Sequence, residues 1–280
     1  LHDNQRPPFA SVLKGGMMSQ DIFVEVGHGP TLIDNNIMLS DASLRFATEG
    51  VALVHNLICG ALTCVGGGTG PRYTPYHMPH RTEVMGFMTV LHGDDRFYNN
   101  IFVQKWPSDD IITMHDSDDG FDTENRAAGT WMFDEYPTYD EWISQFDFSK
   151  PADMAKLYGA HEGKLPVWIE GNAYLGGAKP SKKDVNALIS AVAREDVRVE
   201  LVQKEDGYYL DTNVYELIEG FKNRMIDSDV LGKAFEPEER FENPDGTAIR
   251  FDSDYFGTHR GVDVIPGPFA SKEEAAKKLY

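Results

Sequence analysis

Four segments of the chain share one form, and this repeat limits the fold more than any other feature. They are Thr31-Leu-Ile-Asp-Asn-Asn36-Ile-Met, Ala52-Leu-Val-His-Asn56-Leu-Ile, Arg96-Phe-Tyr-Asn-Asn100-Ile-Phe and Val167-Trp-Ile-Glu-Gly-Asn172-Ala-Tyr. Each is a short apolar strand, an Asn and a second apolar run. The aligned asparagines lie 20, 44 and 72 residues apart. Repeats of roughly 20 to 50 residues signal stacked architectures, because one unit cannot bury its apolar face alone. Twenty residues make one solenoid coil, and 44 make two coils or one coil with a loop inserted. Asn suits the corner between two strands of a coil: it tolerates the left-handed backbone region, and its amide can bond the equivalent Asn of the next coil. A Leu-rich repeat consensus is missing, so the pattern predicts an all-β dominated chain, a parallel β-helix with inserted loops and a C-terminal α/β cap.

The intervals also place the insertions. Residues 66–83 begin Gly66-Gly-Gly-Thr-Gly-Pro-Arg-Tyr-Thr-Pro-Tyr-His77-Met-Pro-His80, too rich in Gly and Pro for a strand, and read as a long cleft-lining loop. A second insertion, about 105–165, is acidic and holds a short helix at Tyr139–Phe146. The expected division is therefore 1–178 for the coils and 179–280 for a mixed α/β cap or tail. In the latter, Ser181 is the expected N-cap of a helix carrying Val185, Leu188, Ile189 and Val192. Val197–Val202 and Tyr208–Leu210 flank Glu205-Asp-Gly207 as a hairpin, and Ser271-Lys-Glu-Glu274 opens a terminal helix.

Charge narrows the partners. Lys and Arg total 26 against 45 Asp and Glu, a formal charge of −19, which repels nucleic acid, anionic membranes and polyanionic sugars. A neutral glycan or small molecule fits better, and a homo-oligomer is compatible with the sequence. No apolar run approaches the ~20 residues of a membrane span. Cys59 and Cys64 are too few for a disulfide scaffold and read as free buried thiols, which favours a reducing, cytoplasmic setting.

Alternation along Asp21-Ile-Phe-Val-Glu-Val26 sends Ile22, Val24 and Val26 inward and Asp21, Phe23 and Glu25 outward. Glu25 then stands where a glycan can lie, followed by a turn, Gly27-His28-Gly-Pro30. The long loop adds Arg72, Tyr73, Tyr76, His77, His80, Arg81 and Glu83. No metal is expected at His77 and His80, because a loop with Pro75 and Pro79 does not fix them on one helical face. His92-Gly-Asp-Asp95 either caps a turn or holds sugar hydroxyls. Asp116-Ser-Asp-Asp-Gly-Phe-Asp122 resembles a calcium loop but has its Gly one place early and no final Glu, so a solvated acidic loop is the default for 116–124. No phosphate-binding loop or Gly-x-Ser-x-Gly elbow is present.

Asp21-Ile-Phe-Val-Glu-Val-Gly-His-Gly-Pro-Thr-Leu-Ile-Asp-Asn-Asn36, Gly50-Val-Ala-Leu-Val-His-Asn-Leu-Ile-Cys-Gly60, Arg72-Tyr-Thr-Pro-Tyr-His77, His92-Gly-Asp-Asp-Arg-Phe-Tyr-Asn-Asn-Ile-Phe102 and Tyr255-Phe-Gly-Thr-His-Arg-Gly-Val262 together resemble the β-xylosidases of glycoside hydrolase family 120. The resemblance implies a retaining hydrolase of xylo-oligosaccharides on a right-handed β-helix, without cofactor, and puts the acid/base on Glu25. The implied nucleophile is an Asp one coil upstream in a Leu-Asp-Trp context. Asp3 has a suitable separation but sits in Leu-His-Asp-Asn-Gln, and Pro7-Pro8 argue against a strand. The expectation is a C-terminal portion whose nucleophile precedes Leu1; a diverged coil is the other explanation. His28, His55, Tyr76, His77, Arg81, His92 and Asp94 are the expected sugar contacts. The competing readings are a β-helix polysaccharide lyase, which the net charge opposes, and a non-catalytic glycan-binding β-helix.

Overall fold

The computed structural model describes residues 20–40, 42–65, 73–105, 112–115, 123–151 and 164–280. Asp3, Arg72, the glycine run 66–70 and the acidic stretch 116–122 lie outside these residues.

The chain visits three sheets in turn and then repeats the circuit. The first pass is β1 (Ile22–Glu25), β2 (Thr31–Asp34) and β3 (Ile37–Met38), and the second is β4 (Ala42–Ala47), β5 (Val51–Val54) and β6 (Leu57–Ile58). The third begins with β7 (Ala61–Val65), detours through β8 (Tyr73–His77) and β9 (Val84–Thr89), and resumes with β10 (Asp95–Tyr98) and β11 (Ile101–Val103). After β12 (Ile112–His115) and β13 (Thr123–Ala127) come β14 (Val167–Glu170), β15 (Ala173–Leu175) and β16 (Leu188–Ile189). The first sheet runs β1-β4-β7-β13-β12, the second β14-β10-β5-β2, and the third β16-β15-β11-β6-β3. Pairing is parallel throughout the second and third sheets and across β1-β4-β7, while β12 and β13 join antiparallel.

The register explains the intervals. Leu32 pairs Ala52, Ala52 pairs Arg96, and Arg96 pairs Trp168. Both longer intervals are therefore one coil with an insertion. Side chains from all three sheets meet in one core: Leu44 and Phe46 from the first, Ile33, Leu53, Phe97 and Ile169 from the second, Ile58, Phe102 and Tyr174 from the third. Phe102 and Tyr174 stack at 5.3 Å, and Phe97 meets Phe133 at 4.8 Å. Each such buried ring contributes about 1.5–3 kcal/mol.

The asparagines form a ladder along the corner between the second and third sheets. Asn36 Nδ2 donates to Asn56 Oδ1 (3.1 Å), Asn56 Nδ2 to Asn100 Oδ1 (3.0 Å), and Asn100 Nδ2 to Asn172 Oδ1 (3.0 Å). The left-handed backbone, however, belongs to the preceding residue, Asn35, His55, Asn99 or Gly171, each with φ between 52° and 74°. That residue turns the chain and frees the ladder Asn to bond above and below.

Three local expectations are corrected. The helix expected after Ser181 is instead a loop leading to β16, whose Leu188 pairs Ala173. Asn186, at φ 60°, turns the same corner that Gly171 turns one coil earlier, so the apolar spacing there is a coil's and not a helix's. The insertion at 66–83 contains strand after all: Tyr73–His77 pairs antiparallel with Val84–Thr89. Pro75 is tolerated because this two-stranded ribbon has open edges. The 139–146 helix ends early, at Ile143, and opens with a capping box between Thr138 and Glu141.

In the tail, the expected hairpin forms as β17 (Val199–Lys204) and β18 (Gly207–Thr212), and Ser271 caps a one-turn helix at Lys272–Ala275. The tail lies along the outer faces of the sheets. Val199, Leu210, Tyr215 and Phe269 cover Leu57, Ile101 and Ala173 of the third sheet. Ile226, Leu231, Phe241 and Phe251 cover Ala52, Val54 and Tyr98 of the second. Among the described residues no helix is long and apolar enough to cross a membrane.

Candidate functional site

Glu25 ends β1, and the burial of that strand alternates as its sequence does, with Phe23 and Glu25 exposed and Ile22 and Val24 partly buried. The turn that follows carries His28 into the corner between the first and second sheets. There the turns of successive coils stack closely: the backbone N–H of Glu49 donates to Gly27 O, and that of Gly50 to Gly93 O, both at 3.2 Å.

His28 is 4% exposed and held from both sides. Its Nδ1 lies 2.5 Å from Glu49 Oε1, and its Nε2 lies 2.7 Å from Thr74 Oγ1 on β8. The ring of Tyr76 meets it edge-on, with centroids 6.0 Å apart. Glu49 Oε2 accepts the N–H of Leu91 at 2.7 Å. Burial works against a charge on His28, but the hydrogen bond and charge of Glu49, then Glu236 and Thr74, outweigh it and raise its pKa. Glu236 is itself raised, chiefly by burial and then by Glu49.

One coil beyond Glu49, His92, Asp94 and Asp95 occupy the same corner, all buried. Asp94 pairs with Arg96 at 2.7 Å and accepts the N–H of Phe235 at 2.8 Å; burial still pushes it up to about 7. Asp95 accepts the N–H of Val51 at 3.1 Å and is likewise raised by burial. Arg96 lies between the rings of Trp168 and Phe241 and donates to Leu231 O at 2.9 Å. Burial lowers the pKa of His92 to about 4, against the opposing pull of the Thr48 backbone. These groups tie the tail to the coils.

The remaining expected contacts divide. Tyr76, His77 and Arg81 ride on or beside the β8–β9 hairpin; His77 and Arg81 are exposed, and Arg81 pairs with Glu83 at 3.4 Å. His55 is elsewhere, fully buried at the Asn-ladder corner, with Asn99 Nδ2 3.3 Å from its Nε2. Burial, then Arg260, lowers its pKa well below the usual value. The structure thus brings His28, in the turn that follows Glu25, against Tyr76, stacks His92 and Asp94 in the same corner, and leaves His55 apart.

Sequence reasoning missed Glu49, Thr74 and Glu236. A signal for Glu49 exists: Glu49-Gly50 occupies, one coil later, the place of His28-Gly29. Thr74 and Glu236 come from an insertion and from the tail, and no repeat marks them. Among the described residues no group of three or more His, Cys, Asp or Glu is arranged to hold a metal ion.

Comparison with known proteins yields a structural neighbour. No protein-family model matches the chain, and neither does any curated protein. A solved chain described as the complex structure of XylC with xylose is similar at 29% identity and a TM-score of 0.74. The match covers 93% of this chain and 38% of that one, so the chain spans well under half the length of XylC.

Proposed function

We propose that this chain belongs to the working part of a retaining glycoside hydrolase that cleaves β-xylosidic bonds of xylo-oligosaccharides, with Glu25 as general acid/base. The observation that carries the reading is the likeness to XylC, whose structure was solved with xylose, over 93% of these residues. It is supported by the family 120 resemblance of the strings around Glu25 and by the exposure of Glu25 at the end of β1. The scaffold we propose is a right-handed parallel β-helix, for which three parallel sheets around one core and a continuous Asn ladder speak. Its coils run at least as far as β16, and the residues after β16 pack on them as a tail.

In this mechanism Glu25 donates a proton to the glycosidic oxygen while a second carboxylate attacks the anomeric carbon. The C–O bond to the leaving sugar breaks and a glycosyl-enzyme ester forms. Glu25, now a carboxylate, takes a proton from water, which displaces the ester with a second inversion. A retaining pair stands about 5–5.5 Å apart. The nucleophile in this scheme is an Asp that we assign to none of the described residues. Tyr76, His77 and Arg81 are the proposed contacts to sugar, their aromatic face and N–H donors matching a pyranose and its hydroxyls; His28 backs Tyr76. The charge of −19 fits a neutral glycan better than a uronate.

The test is hydrolysis of xylotriose by the full-length protein, followed by proton NMR. The reading predicts xylose released first as the β-anomer. Release of the α-anomer contradicts retention, and binding without turnover points to a glycan-binding chain instead.

A further inference from the structure

Among the described residues, the β8–β9 hairpin is fastened at two points. Near its base, Thr74 Oγ1 meets His28 Nε2 at 2.7 Å. At its tip, His80 Nε2 lies 2.7 Å from Glu242 Oε1, and the His80 N–H reaches Glu239 Oε1 at 3.3 Å. Between these points much of the hairpin faces outward, with Met85 53% and Phe87 61% exposed. A two-stranded hairpin is marginal in water by itself. Its place against the coils therefore depends on its anchors.

The base anchor leads back to one buried carboxylate. Glu49, 1% exposed, holds Nδ1 of His28 with one oxygen and the Leu91 N–H with the other. Fixed at Nδ1, the imidazole has one orientation, and its Nε2 faces the hairpin. The groups facing His28 are Glu49 from the adjacent coil, Thr74 and Tyr76 from the hairpin and, through its charge, Glu236 from the tail. His28 lies three residues beyond Glu25, so an anchor on His28 is an anchor beside the acid/base.

We propose that Glu49 is a positioning residue: acting through His28 and Thr74, it fixes the β8–β9 hairpin beside Glu25 as the wall that receives the leaving-group sugar. This rests on the glycosidase reading of Glu25. An acid catalyst needs the glycosidic oxygen within about 3 Å. A sugar leaving group, with its poorly acidic hydroxyl, depends on that placement. An activated aryl leaving group depends on it far less.

Two variants test the idea in the full chain. Glu49→Gln keeps the shape and removes the charge; Thr74→Val keeps the shape and removes the hydroxyl. Each is expected to raise KM for xylobiose about tenfold, roughly the worth of one hydrogen bond. The kcat for an aryl β-xyloside should stay within about threefold of the parent, since proton donation matters least there. Thr74→Ser should restore the parent KM. Independently of activity, hydrogen exchange across residues 73–89 should quicken in both variants and return to the parent rate in Thr74→Ser. Should Glu49→Gln not fold, the Thr74 pair decides alone. If the full-length parent protein hydrolyses neither substrate, the glycosidase reading fails, and the exchange rates still decide whether the hairpin is anchored this way. Unchanged exchange in the variants overturns the proposal, as does an equal loss on xylobiose and aryl xyloside.

Discussion

Asn100 Oδ1 accepts both the backbone N–H and the side-chain amide of Asn56, each at 3.0 Å. Asn100 in turn donates its own amide to Leu53 O at 2.9 Å and to Asn172 Oδ1 at 3.0 Å. One side chain thus bonds to the coils on both sides of its own, in a place where water does not reach.

Asn100→Ala removes all of these bonds and leaves the buried backbone N–H of Asn56 without its partner, while Asn172 Oδ1 keeps only the backbone N–H of residue 100. An unmet buried polar group costs about 1–3 kcal/mol. The variant is expected to lose about 3 kcal/mol or more in urea unfolding, with a smaller loss for Asn36→Ala at the more accessible end of the ladder.

The turns beside Glu25 stack too tightly for a side chain. Gly29 has φ 73°, and a Cβ there would lie 2.4 Å from Gly50 O, whereas Gly220, at φ 80°, has open space around it. Gly220→Ala should cost only the strain of a left-handed residue, about 1–2 kcal/mol. Gly29→Ala adds a backbone clash and should cost clearly more; thermal unfolding of the two variants compares them directly.

Much of this scaffold can be read from the chain because the ladder repeats itself in sequence: Asn36, Asn56, Asn100 and Asn172 carry their own alignment. The β17–β18 hairpin announces itself by Asp206-Gly207 at its turn, and the outward placement of Glu25 follows from strand alternation. The polar corner is harder to read. Glu49 meets His28 across 21 residues and Thr74 meets it across 46, distances set by how coils stack around an insertion. Nothing local distinguishes buried His55, a corner residue, from a surface histidine. The spacing of Val185, Leu188, Ile189 and Val192 imitates a helix because a two-residue strand follows a corner turn.

Asp184 closes the ladder, accepting from Asn172 Nδ2 at 3.1 Å and Tyr174 Oη at 2.6 Å. Burial raises its pKa to about 6, against the opposing pull of those bonds. A carboxyl raised on folding contributes stability that is complete below its unfolded pKa and is lost as pH rises through the folded value. Relative to Asp184→Asn, the parent chain should therefore be more stable at pH 4 than at pH 7.5, by about 2 kcal/mol. Urea midpoints at the two pH values check this.

The most direct test of the account is the leaving-group dependence of Glu25→Gln in the full chain. If Glu25 is the acid/base, kcat/KM for xylobiose falls by about a thousandfold or more, while an activated aryl β-xyloside still forms the glycosyl-enzyme at a far smaller loss. Azide then restores turnover and yields β-xylosyl azide. Parent-like hydrolysis of xylobiose by Glu25→Gln contradicts the assignment.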